Sequence, residues 1–321
     1  MKSKVTLVLA ILIAVCFCFP GASTAKTKFI TLASGSPGGV YYPLGGGMAV
    51  VIQKTVDGVR CAAESTGASV ENTRLISNRD SDMGMVMGST SYKSREGSKP
   101  FVKKHDVLAM FQMYPAPMHI VTTTKTGIKT LEDLRGKKVS IDRPGSGGAV
   151  MARAILKAAG FDLEKDLELA GLSVSESVAA MKDGIVDAIF LNFAYPAAAI
   201  MDLGSTREIE LIPLDENLIS KIIDEAPYYV KITIPGGTYK GIDKDILCLG
   251  DSNVMVVHKD MDEDLVYKCV KALFENIDTG KYALVNIHPI ANQFTPENAV
   301  NSPIPLHPGS IKYFKERGAI K

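Results

Sequence analysis

The sequence has no tryptophan and only five cysteines, and neither sign of charge dominates: 36 basic and 35 acidic residues leave a net charge of +1. Without a field of one sign, neither nucleic acid nor an anionic membrane surface is implied as a partner. Past the N-terminal region the cysteines are Cys61, Cys248 and Cys269, with no CxxC spacing. An odd number permits at most one disulfide, and buried free thiols are the simpler expectation. No Cys/His cluster suggests a metal, and His105, His119, His258, His288 and His307 are scattered, as structural or surface histidines commonly are. Internal repeats and low-complexity tracts are also missing.

Catalytic signatures are equally scarce. A nucleophile elbow needs GxSxG, but Ser146 sits in Pro144-Gly145-Ser146-Gly147-Gly148, where proline replaces the first glycine. Gly136-Lys137-Lys138 lacks the spacing of a phosphate-binding P-loop. Neither Gly35-Ser36-Pro37-Gly38 nor Gly145-Ser146-Gly147 completes GxGxxG, and HExxH does not occur. The expectation is a protein that is not an enzyme and carries no cofactor.

What the chain does have begins with Met1-Lys2-Ser3-Lys4, an uncharged run from Val5 to Phe19 and small residues up to Ala25. Basic, apolar and small-residue regions in that order read as a signal peptide over residues 1–25, cut near Ala25, which implies a periplasmic location. The apolar run is shorter than the ~20 residues of a membrane span. A lipid-anchored start at Cys16 fits less well, because Val15 is larger than the residue expected there. The rest of the 321 residues suffices for two lobes at ~100–200 residues per domain.

Strands are expected at Lys28 to Ala33, Val59 to Glu64 and Met83 to Met87, each running into Gly, Ser and Thr. Pro43 suits the first turn of a helix through Val56, and a second helix is expected over Ser69 to Ser77. Two further strands are expected at Leu108 to Met113 and Met118 to Thr124, followed by a short capped helix over Thr130 to Gly136. Val139 to Asp142 leads into Arg143-Pro144-Gly145-Ser146-Gly147-Gly148 and an Ala-rich helix. Ser173 to Glu176 has the spacing of a capping box. Ile246 to His258 reads as a long β-segment that returns to the first lobe. This rhythm predicts an α/β clamshell with the ligand in the interlobe cleft, lobe 1 comprising residues 26–122 plus 246–321 and lobe 2 residues 123–245. Glycine-rich loops at helix starts offer free amides suited to an anion.

Six ordered blocks, SGSPGGVYYPLGGGMA, AESTGASVENTRLI, LRGKKVSIDRPGSGGAV, MKDGIVDAIF, TIPGGTYKG and SPIPLHPGSIKYFKERG, resemble the TAXI family, the extracytoplasmic solute receptors of TRAP transporters. The resemblance runs from Lys28 to the end of the chain. It implies a type II periplasmic binding-protein fold, capture of a small carboxylate such as glutamate, glutamine or a dicarboxylate or 2-oxo acid, and delivery to a TRAP membrane permease driven by an ion gradient; a monomer is the default expectation. Residue by residue it implies ligand contacts from Ser36, Gly38, Gly39, Val40 and Tyr41, with Tyr42 turned into the core. Ser65 and Thr66 are implied as hydroxyl donors beside Glu64, and Asn72 either braces that loop or touches solute. Ser146 and Gly147 are implied contacts from the second lobe.

The chain departs from that pattern in places that bear on the solute. Met87-Gly88-Ser89 stand where a polar triplet is common, Gly148 where threonine is usual, and Arg143 where a small residue is usual. Asn192 and Phe193 add bulk. Ser89, Gly148, Asn192 and Phe193 therefore join the expected site, together with Arg143, whose guanidinium is suited to clamping a carboxylate; the alternative for Arg143 is the surface of the lobe. The competing reading of the whole chain is a receptor of an ABC importer for an uncharged or aromatic solute.

Overall fold

The computed structural model describes residues 27–321, so the expected signal peptide, its cleavage at Ala25 and the alternative start at Cys16 lie outside the described residues. The chain begins with β1 (Lys28–Ala33), α1 (Tyr41–Thr55), β2 (Val59–Glu64), α2 (Ser69–Asn78), β3 (Met83–Met87) and α3 (Gly88–Glu96). β1 pairs in parallel with β2 and with β3, so the glycine-rich loops that follow all three strands emerge at the same edge of the sheet. Gly88 to Ser91, expected as a connecting loop, already form the first turn of α3.

Next comes β4 (Val107–Thr123), a single strand of 17 residues where the sequence suggests two strands broken at Pro115 and Pro117. The prolines are tolerated because they face Ser252 and Gly250 beside a register shift, where the ladder needs no amide from them. Their neighbourhood still uses its carbonyls: the Phe193 amide donates to Pro117 O at 3.3 Å, and Asn192 Nδ2 donates to Ala116 O at 2.8 Å.

The order then runs β5 (Lys138–Ser140), α4 (Gly147–Ala158), β6 (Glu168–Ala170), α5 (Val174–Lys182), β7 (Ala188–Asn192), α6 (Ala198–Thr206), β8 (Ile209–Leu211), α7 (Glu216–Glu225), β9 (Tyr229–Ile234), β10 (Ile246–His258), α8 (Glu263–Phe274), α9 (Pro296–Ala299) and α10 (Pro308–Glu316). The expected helix over Thr130 to Gly136 is only a 3₁₀ turn at Glu132–Leu134. α5 opens with the capping box of Ser173 and Glu176 that the sequence spacing predicts.

The sheet has the strand order β2-β1-β3-β10-β4-β7-β5-β6, with β8 beside β4 and β9 beside β10. β10 pairs with β9 through Ile246 to Asp251 and with β3 through Asn253 to Val257. β4 pairs with β10 along its first part, then with β7 and β8 from Met118 to Thr123. Both long strands thus pass from one half of the sheet to the other. One apolar core gathers Leu44, Met48, Ile52, Met255, Leu273 and Phe314; another gathers Met118, Val139, Ile155, Phe190 and Ile222. The result is a two-lobed α/β clamshell. Cys61, Cys248 and Cys269 are free and buried, and burial pushes each thiol up to about 12.

Asp251 lies on β10 at the crossing and is wholly buried. The Ser89 amide donates to its Oδ1 at 3.1 Å and Oδ2 at 3.3 Å. Burial still raises the carboxyl from 3.8 to about 7, against the lowering pull of Ser89, Lys93 and the Ser252 amide. A folded-state value above the unfolded one means that folding takes up a proton, so this contribution to stability is full below 3.8 and is lost as pH rises toward 7. Asp251→Asn should flatten the stability profile over that interval by roughly 1.4 kcal/mol per pH unit. Urea unfolding of both proteins across the interval measures it, and parallel profiles would refute the assignment.

Candidate functional site

α1, α2 and α4 all begin at one cavity between the lobes. Its lining includes Gly35, Ser36, Gly39, Val40 and Tyr41 from the loop after β1, and Ala68 and Ser69 from the start of α2. Asp142, Ser146, Gly147 and Gly148 enter from the loop before α4, Asn192 and Phe193 from the end of β7, and Met87, Tyr114, Val174 and Asn253 complete the wall. The cavity volume is about 50 Å³, counted as room for the centre of a water-sized sphere. That is space for roughly four waters, on the scale of a small organic solute.

Local chemistry makes each helix start a donor surface. Pro43 sits in the first turn of α1, where its missing amide costs nothing. Ser146 caps α4, its Oγ accepting from the Ala149 amide at 3.0 Å. The amides of Val40, Tyr41, Gly147 and Gly148 find no protein acceptor among the described residues and are free for an anion. Tyr41 donates its hydroxyl to Asn253 Oδ1, and Asn253 Nδ2 donates to Tyr114 O at 3.0 Å. Burial, with Tyr114 and Asp251 nearby, holds the Tyr41 phenol well above its ordinary range, so it serves as a neutral donor.

The two walls touch. Gly145 O accepts from the amides of Val70 at 3.0 Å and Glu71 at 3.3 Å, joining the loop before α4 to the first turn of α2. Gly147 makes this approach possible: a Cβ there would lie 2.4 Å from Met87 Sδ and 2.8 Å from Ser69 Oγ. The loop before α4 and the start of α2 are thus in direct contact across the cleft.

Of the residues expected from sequence, Ser36, Gly39, Val40, Tyr41, Ser146, Gly147, Gly148, Asn192 and Phe193 line the cavity. The others lie outside it, each for a visible reason. Gly38 abuts α5, where a Cβ would be 3.0 Å from Ser175 Oγ. Ser65 Oγ donates to Gly35 O at 3.1 Å, and Thr66 Oγ1 to Asn72 Oδ1 at 2.6 Å. Asn72 is a brace, its Nδ2 donating to Ala33 O, Ser34 O and Met85 O at 3.2, 2.8 and 2.7 Å. Ser89 serves Asp251. Arg143 does not reach the cavity: the chain turns at Asp142 (φ 69°), and the Arg143 amide bonds Asp142 Oδ1 at 2.8 Å. Its charge instead adds to the lowering of the Glu176 carboxyl, which is led by Ser173. Tyr42, expected in the core, is 47% exposed.

Gly35, Ala68, Ser69, Met87, Tyr114, Asp142, Val174 and Asn253 are the lining residues that sequence reasoning missed. Asp142 stood inside a quoted block, and Ser69 at an expected helix start, but nothing local marks Tyr114 or Asn253. His119 is buried and pushed down to about 4 by that burial. Its Nε2 shares a 2.9 Å bond with the Tyr239 hydroxyl, which accepts from the Ala197 amide at 2.9 Å. A neutral histidine thereby steadies the loop behind Phe193. Among the described residues no group of three or more His, Cys, Asp or Glu is placed to hold a metal ion.

The model of the NMT1-like family matches residues 32–318. The chain belongs to the NMT1-like family. Its fold is that of type II periplasmic binding proteins. It is similar to PhnD1 from Prochlorococcus marinus (MIT 9301), solved in complex with methylphosphonate, at 12% identity over 92% of this chain and 100% of that one, with a TM-score of 0.58. A protein from Bordetella bronchiseptica RB50 is 16% identical over 91% of this chain and 89% of its own, with a TM-score of 0.54. Identities this low show the shared fold. Neither the family match nor the likeness to PhnD1 supports the TAXI resemblance or a TRAP permease specifically.

The brace role of Asn72 predicts that Asn72→Ala removes the side-chain donor shared by Ala33 O, Ser34 O and Met85 O and the acceptor of the Thr66 hydroxyl, at a cost of about 1–3 kcal/mol. Urea unfolding reads this directly; a variant as stable as the parent would remove Asn72 from the scaffold.

Proposed function

We propose that this member of the NMT1-like family is the extracytoplasmic solute-binding component of a membrane importer. It captures a small organic acid between its lobes, closes on it, and presents the closed form to the membrane partner. The observation that carries the reading is the cavity lined by the starts of both α1 and α4, whose amides have no protein acceptor among the described residues. Each such helix start favours an anion by ~0.3–2 kcal/mol, and micromolar affinity needs about 8 kcal/mol net, so several donors must act together. PhnD1 holding methylphosphonate supports an acid group in a cleft of this fold. The ligand-binding lobes are residues 26–122 plus 246–321 and residues 123–245, with closure pivoting on the crossing strands β4 and β10.

For the membrane partner, an ABC importer is the first reading, supported by the match of the chain to the NMT1-like family. A TRAP permease is the second, favoured by the six ordered sequence blocks. Uptake in proteoliposomes separates them. ATP dependence fits the first and dependence on an ion gradient the second, while no stimulation by the receptor in either system excludes an importer role.

Solute capture predicts that small carboxylates or phosphonates raise Tm by mass action, ~2.7 kcal/mol at a hundredfold excess over Kd. If no small acid shifts the melt and none is retained in native mass spectrometry, the acid reading fails. Gly147→Ala should oppose closure through its contact with Met87 and Ser69. Overpacking of ~1–3 kcal/mol corresponds to affinity weakened about 5- to 150-fold. Isothermal titration checks it, and unchanged affinity would show that the closed form is not the one that binds.

A further inference from the structure

Every charge borne by a side chain on the wall of this cavity comes from one residue. Asp142 lines it, and no lysine, arginine or histidine does. The ion pairs among the described residues do not include Asp142. Arg143, next in the chain, gives Asp142 Oδ1 its backbone amide at 2.8 Å while its side chain stays outside the cavity. A half-buried carboxylate at a solute site, without an ion-pair partner, is an unmet demand for positive charge.

The local backbone is arranged around this carboxylate. Asp142 has φ 69°, a left-handed conformation that Asp and Asn tolerate better than most residues. A Cβ at Gly148 would stand 2.8 Å from Asp142 Oδ2. Glycine at 148 therefore leaves room for the acid against the start of α4. Burial pushes the Asp142 carboxyl above the ordinary carboxylate range, and the Arg143 amide, the Ser146 hydroxyl and the Arg143 charge only partly offset that. A structural acid has less need of a place on a ligand cavity.

We propose that Asp142 is the subsite for a protonated amine, so that the solute is a small zwitterion whose ammonium meets Asp142 and whose acid group meets the free amides at the starts of α1 and α4. The inference rests on the reading of the cleft as a solute site and narrows its substrate class. An acid without an amine faces Asp142 as a like charge; an amine without an acid leaves the amides of Val40, Tyr41, Gly147 and Gly148 unused. The Asn192 and Asn253 side chains add neutral polar surface to the same wall.

The test compares matched probes by isothermal titration with the mature protein: glutamate against 2-oxoglutarate, alanine against pyruvate, and 2-aminoethylphosphonate against ethylphosphonate. The aminated member of at least one pair should bind tenfold or more tightly than its partner. Asp142→Asn, which suits the same left-handed backbone, should erase that preference while leaving the melting temperature of the free protein close to the parent's. If the acids without an amine bind as well as or better than their partners, the inference falls and the cleft reading stands. Should neither class bind, both fall. A preference that survives in Asp142→Asn, or a variant that loses stability with selectivity intact, assigns Asp142 to the scaffold and overturns the proposal.

Discussion

The antiparallel pairing of β4 with β10 is the constraint on which the rest of the molecule depends. Both strands run through the two halves of the sheet, with β3 and β9 on β10 and β7 and β8 on β4. A hydrogen-bonded ladder resists stretching and shear but bends where it is irregular. Here the register shift between Ser252 and Val254 lies beside Pro115, which faces Ser252, so the ladder is least regular at the crossing. Asp251 sits at the same point with the amide at the start of α3 upon it, so the fold spends some stability to keep a polar group in the crossing.

The individual strands and helices were legible because local chemistry decided them. β1, β2, β3 and β10 follow from apolar runs bounded by Gly, Ser and Thr, and the capping box of Ser173 and Glu176 reports its own helix start. β4 was misread as two strands because proline removes an amide, and only the partner strand reveals that the amide was not needed. β6, β8 and β9 were not anticipated; the first two are three-residue strands set by pairing with neighbours rather than by their own pattern.

The site was legible in part for the same reason. Loops rich in glycine at helix starts announce free amides, and Val40, Tyr41, Ser146, Gly147 and Gly148 line the cavity. Asn72 and Thr66 carry the right groups, yet Thr66 Oγ1 donates to Asn72 Oδ1, and Asn72 Nδ2 donates to the backbone carbonyls of Ala33, Ser34 and Met85. Arg143, expected at the site, is not on the cavity wall, whereas its neighbour Asp142, in a left-handed conformation at φ 69°, is. Sequence spacing carries no record of that angle. Tyr114 and Asn253 come from the two crossing strands, so only the assembled sheet brings them to Tyr41.

Under the proposed capture of a solute, closure and recognition are one physical event. The contact of Gly145 O with the amides of Val70 and Glu71 occupies donors at the start of α2, while amides at the starts of α1 and α4 keep no protein acceptor among the described residues. A ligand shifts the balance between open and closed forms only by its differential affinity for them. Donors supplied by both walls to one small molecule generate that difference, because the open form offers each wall separately. Affinity is then reduced by whatever fraction of the free protein is not already competent to close. The glycines of this cleft therefore set affinity through the ease of approach, while its few polar side chains, from both lobes, set which solute rewards the approach.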